Sequence, residues 1–148
     1  MNSTTNKVKK MMNYGLMKSE PSTGYGEQQV KAGAQGEGWD GVRNYQASNN
    51  MKKMAVGDLC FFYHSVKERD IVGIVKVTKT YHPDPTDKSK RFGMVRVAKY
   101  KTLKNTVNLD QIKSDDRLNH LALVKQSRLS VIPIDKKSWT IICKLGGI

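Results

Sequence analysis

The chain alternates short apolar runs with polar or glycine-rich stretches, and the period inside each run predicts its element. Residues 14–18 form a short, mostly apolar run that stops at Ser19-Glu20-Pro21, where the proline removes a donor and pushes Glu20 toward extended backbone. This predicts a strand ending in a rigid corner. Residues 22–38 are rich in Gly, Gln and Ser with only Val30 as a long aliphatic, so a surface loop holding at most one short helix is expected. A turn through Trp39 leads to a predicted helix over 44–54, with Asn44 as N-cap and Tyr45, Ala47, Met51 and Met54 spaced to share a buried face. Residues 59–64, too short and too aromatic for a helix, predict an inner strand. Residues 70–81 alternate in part and predict another, joined to it by a hairpin connection at 65–69. Pro83 and Pro85 make 81–86 a rigid loop, after which a basic segment at 88–91 leads into a strand over 92–103. Two short helices are predicted at 109–113 and 117–125. A last strand follows over 127–134, with Leu129 and Val131 opposite Arg128 and Ser130. Asp135 caps a helix over 136–145 that Gly146-Gly147 ends. The sum is an α+β fold: about five strands in a small, mostly antiparallel barrel with three to five short helices at the joins.

Length confines this pattern to one domain, since the chain has 148 residues. Residues 1–12 hold three lysines, no acid and no periodicity, which predicts a disordered leader ahead of a domain over 13–148. Charge narrows the partner. Lys and Arg number 26 against 13 Asp and Glu, a formal +13, which favours a polyanion, with nucleic acid the first choice. No stretch approaches the ~18 apolar residues that span a bilayer. Cys60 and Cys143 stand far apart without a C-x-x-C pair, so neither a disulfide framework nor a zinc ribbon is indicated, and a reducing, intracellular compartment fits. Between residues 76 and 104, nine basic residues meet two acids, Asp84 and Asp87. That segment is either a phosphate-tracking stripe or the solvated face of a sheet.

Candidate chemistry is sparse by spacing. His64, His82 and His120 stand singly, with no H-x-H or H-x-x-x-H pair, so no metal is expected. No nucleophile motif occurs, and Asp115-Asp116 reads as helix-end charge rather than a carboxylate dyad. Polar and aromatic residues do gather where apolar runs end: Lys18-Ser19-Glu20, Trp39 and Tyr63-His64-Ser65. Such termini can converge on one rim. The π face of Trp39 can stack on a nucleobase while Ser19, Glu20 and Asn44 read its hydrogen-bonding edge; the alternative for Trp39 is core packing, which is the reading for Trp139 beside Ile141 and Ile142.

Four blocks together resemble the EVE domain family: Tyr14-Gly-Leu-Met-Lys-Ser-Glu-Pro21, Trp39-Asp-Gly-Val-Arg-Asn-Tyr-Gln-Ala47, Gly57-Asp-Leu-Cys-Phe-Phe-Tyr-His-Ser65 and Val124-Lys-Gln-Ser-Arg-Leu-Ser-Val131. They stand in the family's order from Asn13 to Leu145, and the Asp84-Pro-Thr86 loop fits too. The resemblance implies a PUA-like twisted β-barrel, related in fold to YTH readers of methylated adenine in RNA and SRA readers of modified cytosine in DNA. Lys18-Ser19 followed by Trp39 is similar to the Lys-Ser and cage tryptophan of the YTH pocket, although no second tryptophan falls near 81–91. Tyr63, Tyr81 or a proline would then supply the opposite wall. By the same likeness the chain is a non-enzymatic nucleic-acid-binding domain that recognises a modified base, modified cytosine in DNA, flipped into an aromatic pocket. The implied base pocket is Ser19, Glu20, Trp39, Asn44, Tyr45, Tyr63, His64, Ser65 and Asp84. The implied phosphate contacts are Lys18, Arg43, Lys88, Lys90, Arg91 and Arg128. Two other readings stay open: an RNA-binding module that reads structured or modified RNA through the 76–104 face, and an enzyme acting on a modified nucleobase with Glu20, Asp84 or His64 as acid or base. No cofactor is implied, a monomer is the default, and the expected place is bacterial cytoplasm or a eukaryotic nucleus.

Overall fold

The computed structural model describes residues 13–19, 33–65 and 69–148. The expected leader, Glu20 with its corner, most of the 22–38 loop and residues 66–68 of the hairpin connection lie outside the described residues. The apolar runs pair into one sheet, because strands satisfy their backbone groups only beside one another. β1 (Tyr14–Ser19) runs parallel to β3 (Leu59–His64) and antiparallel to β6 (Val131–Ile134). On the other side of β3 lie β4 (Asp70–Pro83), β5 (Gly93–Asn108) and the two-residue β2 (Glu37–Gly38), giving the order β2-β5-β4-β3-β1-β6.

The period-2 register sorts the side chains between two faces. Leu16 stands opposite Phe61 on one, while Gly15 opposite Cys60 and Met17 opposite Phe62 share the other. Helix α4 (Lys136–Leu145) covers the first face, and its Trp139 stacks on Phe61 at 3.9 Å and Tyr14 at 4.5 Å between centroids. Helix α1 (Tyr45–Lys52) serves the other, with Met54 just beyond it reaching Gly15. Leu16, Met17, Met51, Phe61 and Ile142 are fully buried, each contributing about 1.5–3 kcal/mol by leaving water. Helices α2 (Leu109–Ser114) and α3 (Ala122–Lys125) fill the join between β5 and β6.

The α+β class and the predominance of antiparallel pairing stand, but the barrel does not: the described residues form a twisted six-stranded sheet that stays open. Its edge strands are too short to close it. β2 offers two residues, and β6 carries Pro133, which lacks a ladder donor, while the Asn50 side chain already donates to Val131 O at 2.7 Å. Register shifts along the β4–β5 pairing bend the sheet instead. β2 itself arises in a stretch that lacks any apolar period. The predicted buried face of α1 also changes. Ala47, Ser48 and Met51 are buried, whereas Tyr45 is 59% exposed, because residues two apart on a helix point to nearly opposite sides. The helix over 117–125 shortens to α3, since Asp115 turns the chain beforehand by accepting from Arg117 N at 2.9 Å and pairing with its guanidinium at 2.7 Å. β5 outruns its predicted end by five residues, to Asn108, whose side chain forms a capping box with Gln111 at the start of α2. No helix of the described residues is long and apolar enough to cross a membrane.

Candidate functional site

A cleft of about 990 Å³ opens where β1 and β3 end, beside the 38–43 loop and helices α2 and α3. Trp39 borders it, held by two contacts. Its backbone N–H donates to Val95 O at 2.8 Å, and its ring meets Phe62 edge-on at 5.7 Å and 86°. Part of the indole stays exposed to the cleft.

The loop carrying Trp39 is pinned from behind by Asp84. This carboxylate, buried in full, accepts from Gly41 N at 2.9 Å, Arg43 Nη1 at 3.0 Å, Thr86 N at 2.8 Å and Thr86 Oγ1 at 2.6 Å. Burial alone would raise its pKa, but the donors from Thr86, Gly41 and Arg43 outweigh burial and hold the carboxyl down at about 2. Gly41 adopts φ +81°, left-handed backbone that a side chain would strain.

Of the residues singled out by sequence, the fold brings Lys18, Ser19, Trp39, Arg43, Tyr63, Ser65 and Arg128 to the cleft. Ser65 N and Oγ both donate to Ser19 O, at 3.2 and 3.0 Å, tying the ends of β3 and β1 together. Lys18 Nζ donates to Ser127 O at 2.8 Å and lies 5.9 Å from the Tyr63 ring centroid; burial lowers its pKa. Burial raises that of Tyr63, against the opposing pull of Arg69.

The remaining candidates sit elsewhere. The Asn44 carboxamide oxygen accepts from Ala47 N at 2.9 Å as the cap of α1. Tyr45 leans on Phe92 outside the cleft, ring centroids 4.8 Å apart. His64 does not line the cleft but meets the ring of Phe62 edge-on, centroids 5.7 Å apart; its Nδ1 lies 4.0 Å from Asp70, and its buried Nε2 has no hydrogen-bond partner among the described residues. Asp84 stands behind the loop, and Lys88, Lys90 and Arg91 project from the 84–92 loop rather than line the cleft. Glu20 lies outside the described residues.

Sequence reasoning missed Phe62, Arg69, Lys113 and the serines Ser127 and Ser130, all of which line the cleft. Arg69, with φ +54°, had a signal in its place at the far end of the hairpin that Tyr63 to Ser65 opens. Lys113 on α2 had none. Among the described residues the cleft gathers Lys18, Arg43, Arg69, Lys113 and Arg128, with Asp40 as its single acid. No group of three or more His, Cys, Asp or Glu residues is placed to hold a metal ion among them either. An aromatic face, small hydroxyls and a cationic rim suit a flat, polar, anionic ligand.

Comparison with known proteins bears on that chemistry. The EVE domain model matches residues 13–145. Thymocyte nuclear protein 1 of Rattus norvegicus is 32% identical, over 93% of this chain and 75% of its own. A crystal structure of a protein from Agrobacterium tumefaciens superposes with a TM-score of 0.87 at 40% identity, covering 92% of this chain and 94% of that one. The human thymocyte nuclear protein 1, solved in complex with DNA containing 5-methylcytosine, superposes with a TM-score of 0.79 at 29% identity, covering 92% and 98%.

Proposed function

The chain belongs to the EVE domain family, and on that premise we propose that it reads a modified base in nucleic acid, modified cytosine in DNA, flipped into the Trp39 cleft without chemical turnover. The observation that carries this reading is the partly exposed indole, propped edge-on against Phe62 at the border of a cationic cleft. In it Trp39 stacks the base, and Tyr63 is a second aromatic wall. Ser65, whose hydroxyl hydrogen is spent on Ser19 O, keeps acceptor lone pairs that suit the exocyclic amine of cytosine. Lys18, Arg43, Arg69, Lys113 and Arg128 supply charge for the flanking phosphates. Unstacking costs a few kcal/mol, which a stack of ~1–3 kcal/mol and two or three edge hydrogen bonds offset. The relative solved with 5-methylcytosine DNA supports the choice of modification.

The test is binding to matched DNA and RNA oligonucleotides, single and double stranded, with and without 5-methylcytosine. A preference for methylated DNA that Trp39→Ala abolishes is expected. A preference untouched by Trp39→Ala would sink the stacking role, and tighter binding to RNA would transfer the reading to that polymer. Unchanged oligonucleotide after long incubation is the expected chromatographic result.

A further inference from the structure

Tyr45 opens α1 with 59% of its surface exposed, and its ring covers the otherwise buried Phe92 at a 40° tilt. Arg43 also approaches Phe92, its Cζ 5.9 Å from the ring centroid, and the same Arg43 lines the Trp39 cleft. One guanidinium therefore borders both the cleft and an aromatic pair outside it. The 84–92 loop is fastened to this corner at its start, where Arg43 Nη2 donates to Thr86 Oγ1 at 3.0 Å. Within the loop, Asp87 accepts from Ser89 N at 2.9 Å, Ser89 Oγ at 2.6 Å, Arg91 N at 2.9 Å and Phe92 N at 2.7 Å. Both acids of the loop, Asp84 and Asp87, are thus turned inward and buried, while Lys88, Lys90 and Arg91 are exposed. Lys90 is held in left-handed backbone at φ +61°.

We propose that the Tyr45–Phe92 pair is a stacking platform for the nucleotide adjacent to the one in the cleft, with Lys88, Lys90 and Arg91 meeting the phosphates of that strand. The proposal rests on the reading that the cleft holds a base. An exposed aromatic face beside cations is the chemistry that takes a nucleobase of any sequence, since every base has a π face. With both loop acids turned inward onto their donors, the exposed charged side chains of the 84–92 loop are Lys88, Lys90 and Arg91, which suits a polyanion.

Two probes separate platform from cleft: 5-methyldeoxycytidine monophosphate, and a single-stranded oligodeoxynucleotide with one central 5-methylcytosine. Tyr45→Leu keeps an apolar cover over Phe92 but removes the π face, so folding is preserved and stacking is lost. It should weaken oligonucleotide binding by about 5- to 150-fold and leave the monophosphate unchanged. Tyr45→Phe should bind the oligonucleotide as the wild type does. Lys88→Ala, Lys90→Ala and Arg91→Ala should each flatten the slope of log affinity against log salt by about 0.7. Wild-type oligonucleotide affinity in Tyr45→Leu beside an intact methyl preference overturns the platform alone. Equal loss for both probes also overturns it, by moving Tyr45 into the cleft. An absent methyl preference in the wild-type protein overturns the cleft reading and the adjacency with it.

Discussion

Asp84 shows how one side chain places another at a distance. It never reaches the cleft, yet four donors from Gly41, Arg43 and Thr86 converge on it and fix the loop that presents Trp39. Its carboxyl titrates at about 2 in the folded chain against an ordinary 3.8. A depressed pKa means the stabilisation is fully present above about pH 4 and is lost as pH falls through about 2. The Gly41 amide resonance should therefore move with a midpoint near 2, and in Asp84→Asn that titration should vanish. Asp84→Ala strands Arg43 and the Gly41 amide, and should cost on the order of 3 kcal/mol in chemical denaturation. At the same scale Gly41→Ala should cost about 1–2 kcal/mol, since φ +81° strains a side chain even though no atom lies within 4 Å of the added carbon.

Among elements, α1 and α4 do different work with similar caps. Asp135 accepts from Ser138 N at 3.0 Å to start α4, which then lays Trp139 over Tyr14 and Phe61. Trp139→Ala should lower stability by about 3–5 kcal/mol in denaturant unfolding, because a large buried ring leaves a cavity the sheet cannot close. Asn44→Ala removes only the α1 cap and should cost about 1 kcal/mol, read as a lower Tm. The caps and the core strands were legible because they depend on neighbours in sequence: a short polar side chain before a helix, or an aromatic run too short to be one. Tyr45 was misplaced for an equally physical reason. Its apolar character says that it can be buried, but its phase on the helix puts it opposite Ala47, and Phe92, far along the chain, decides what it touches. Lys113 escaped because a lone cation on a helix carries no local pattern, whereas Arg69 could have been found only from its place at the far end of the hairpin that Tyr63 to Ser65 opens.

For the whole molecule, the formal charge of +13 separates into charges with different tasks. Arg96 Nη2 donates to Gly36 O at 2.7 Å and Arg117 pairs with Asp115, so these hold structure, whereas five cations gather at the cleft. Affinity for the nucleic acid should thus fall steeply with salt while the ratio of modified to unmodified binding barely changes. Trp39→Ala should collapse that ratio and leave the salt slope intact, a contrast measured by titration at several ionic strengths. The amino-acid order was enough to settle the α+β class, most of the strands and helices, the basic character and the resemblance carried by four motif blocks. Each of these follows from residue type and short-range period. The open sheet, the parallel β1–β3 pairing, the turning of Asp84 behind the Trp39 loop and the placing of Tyr45 outside the cleft had to wait for the packed chain. They depend on contacts between residues tens of positions apart, whose geometry no local period encodes.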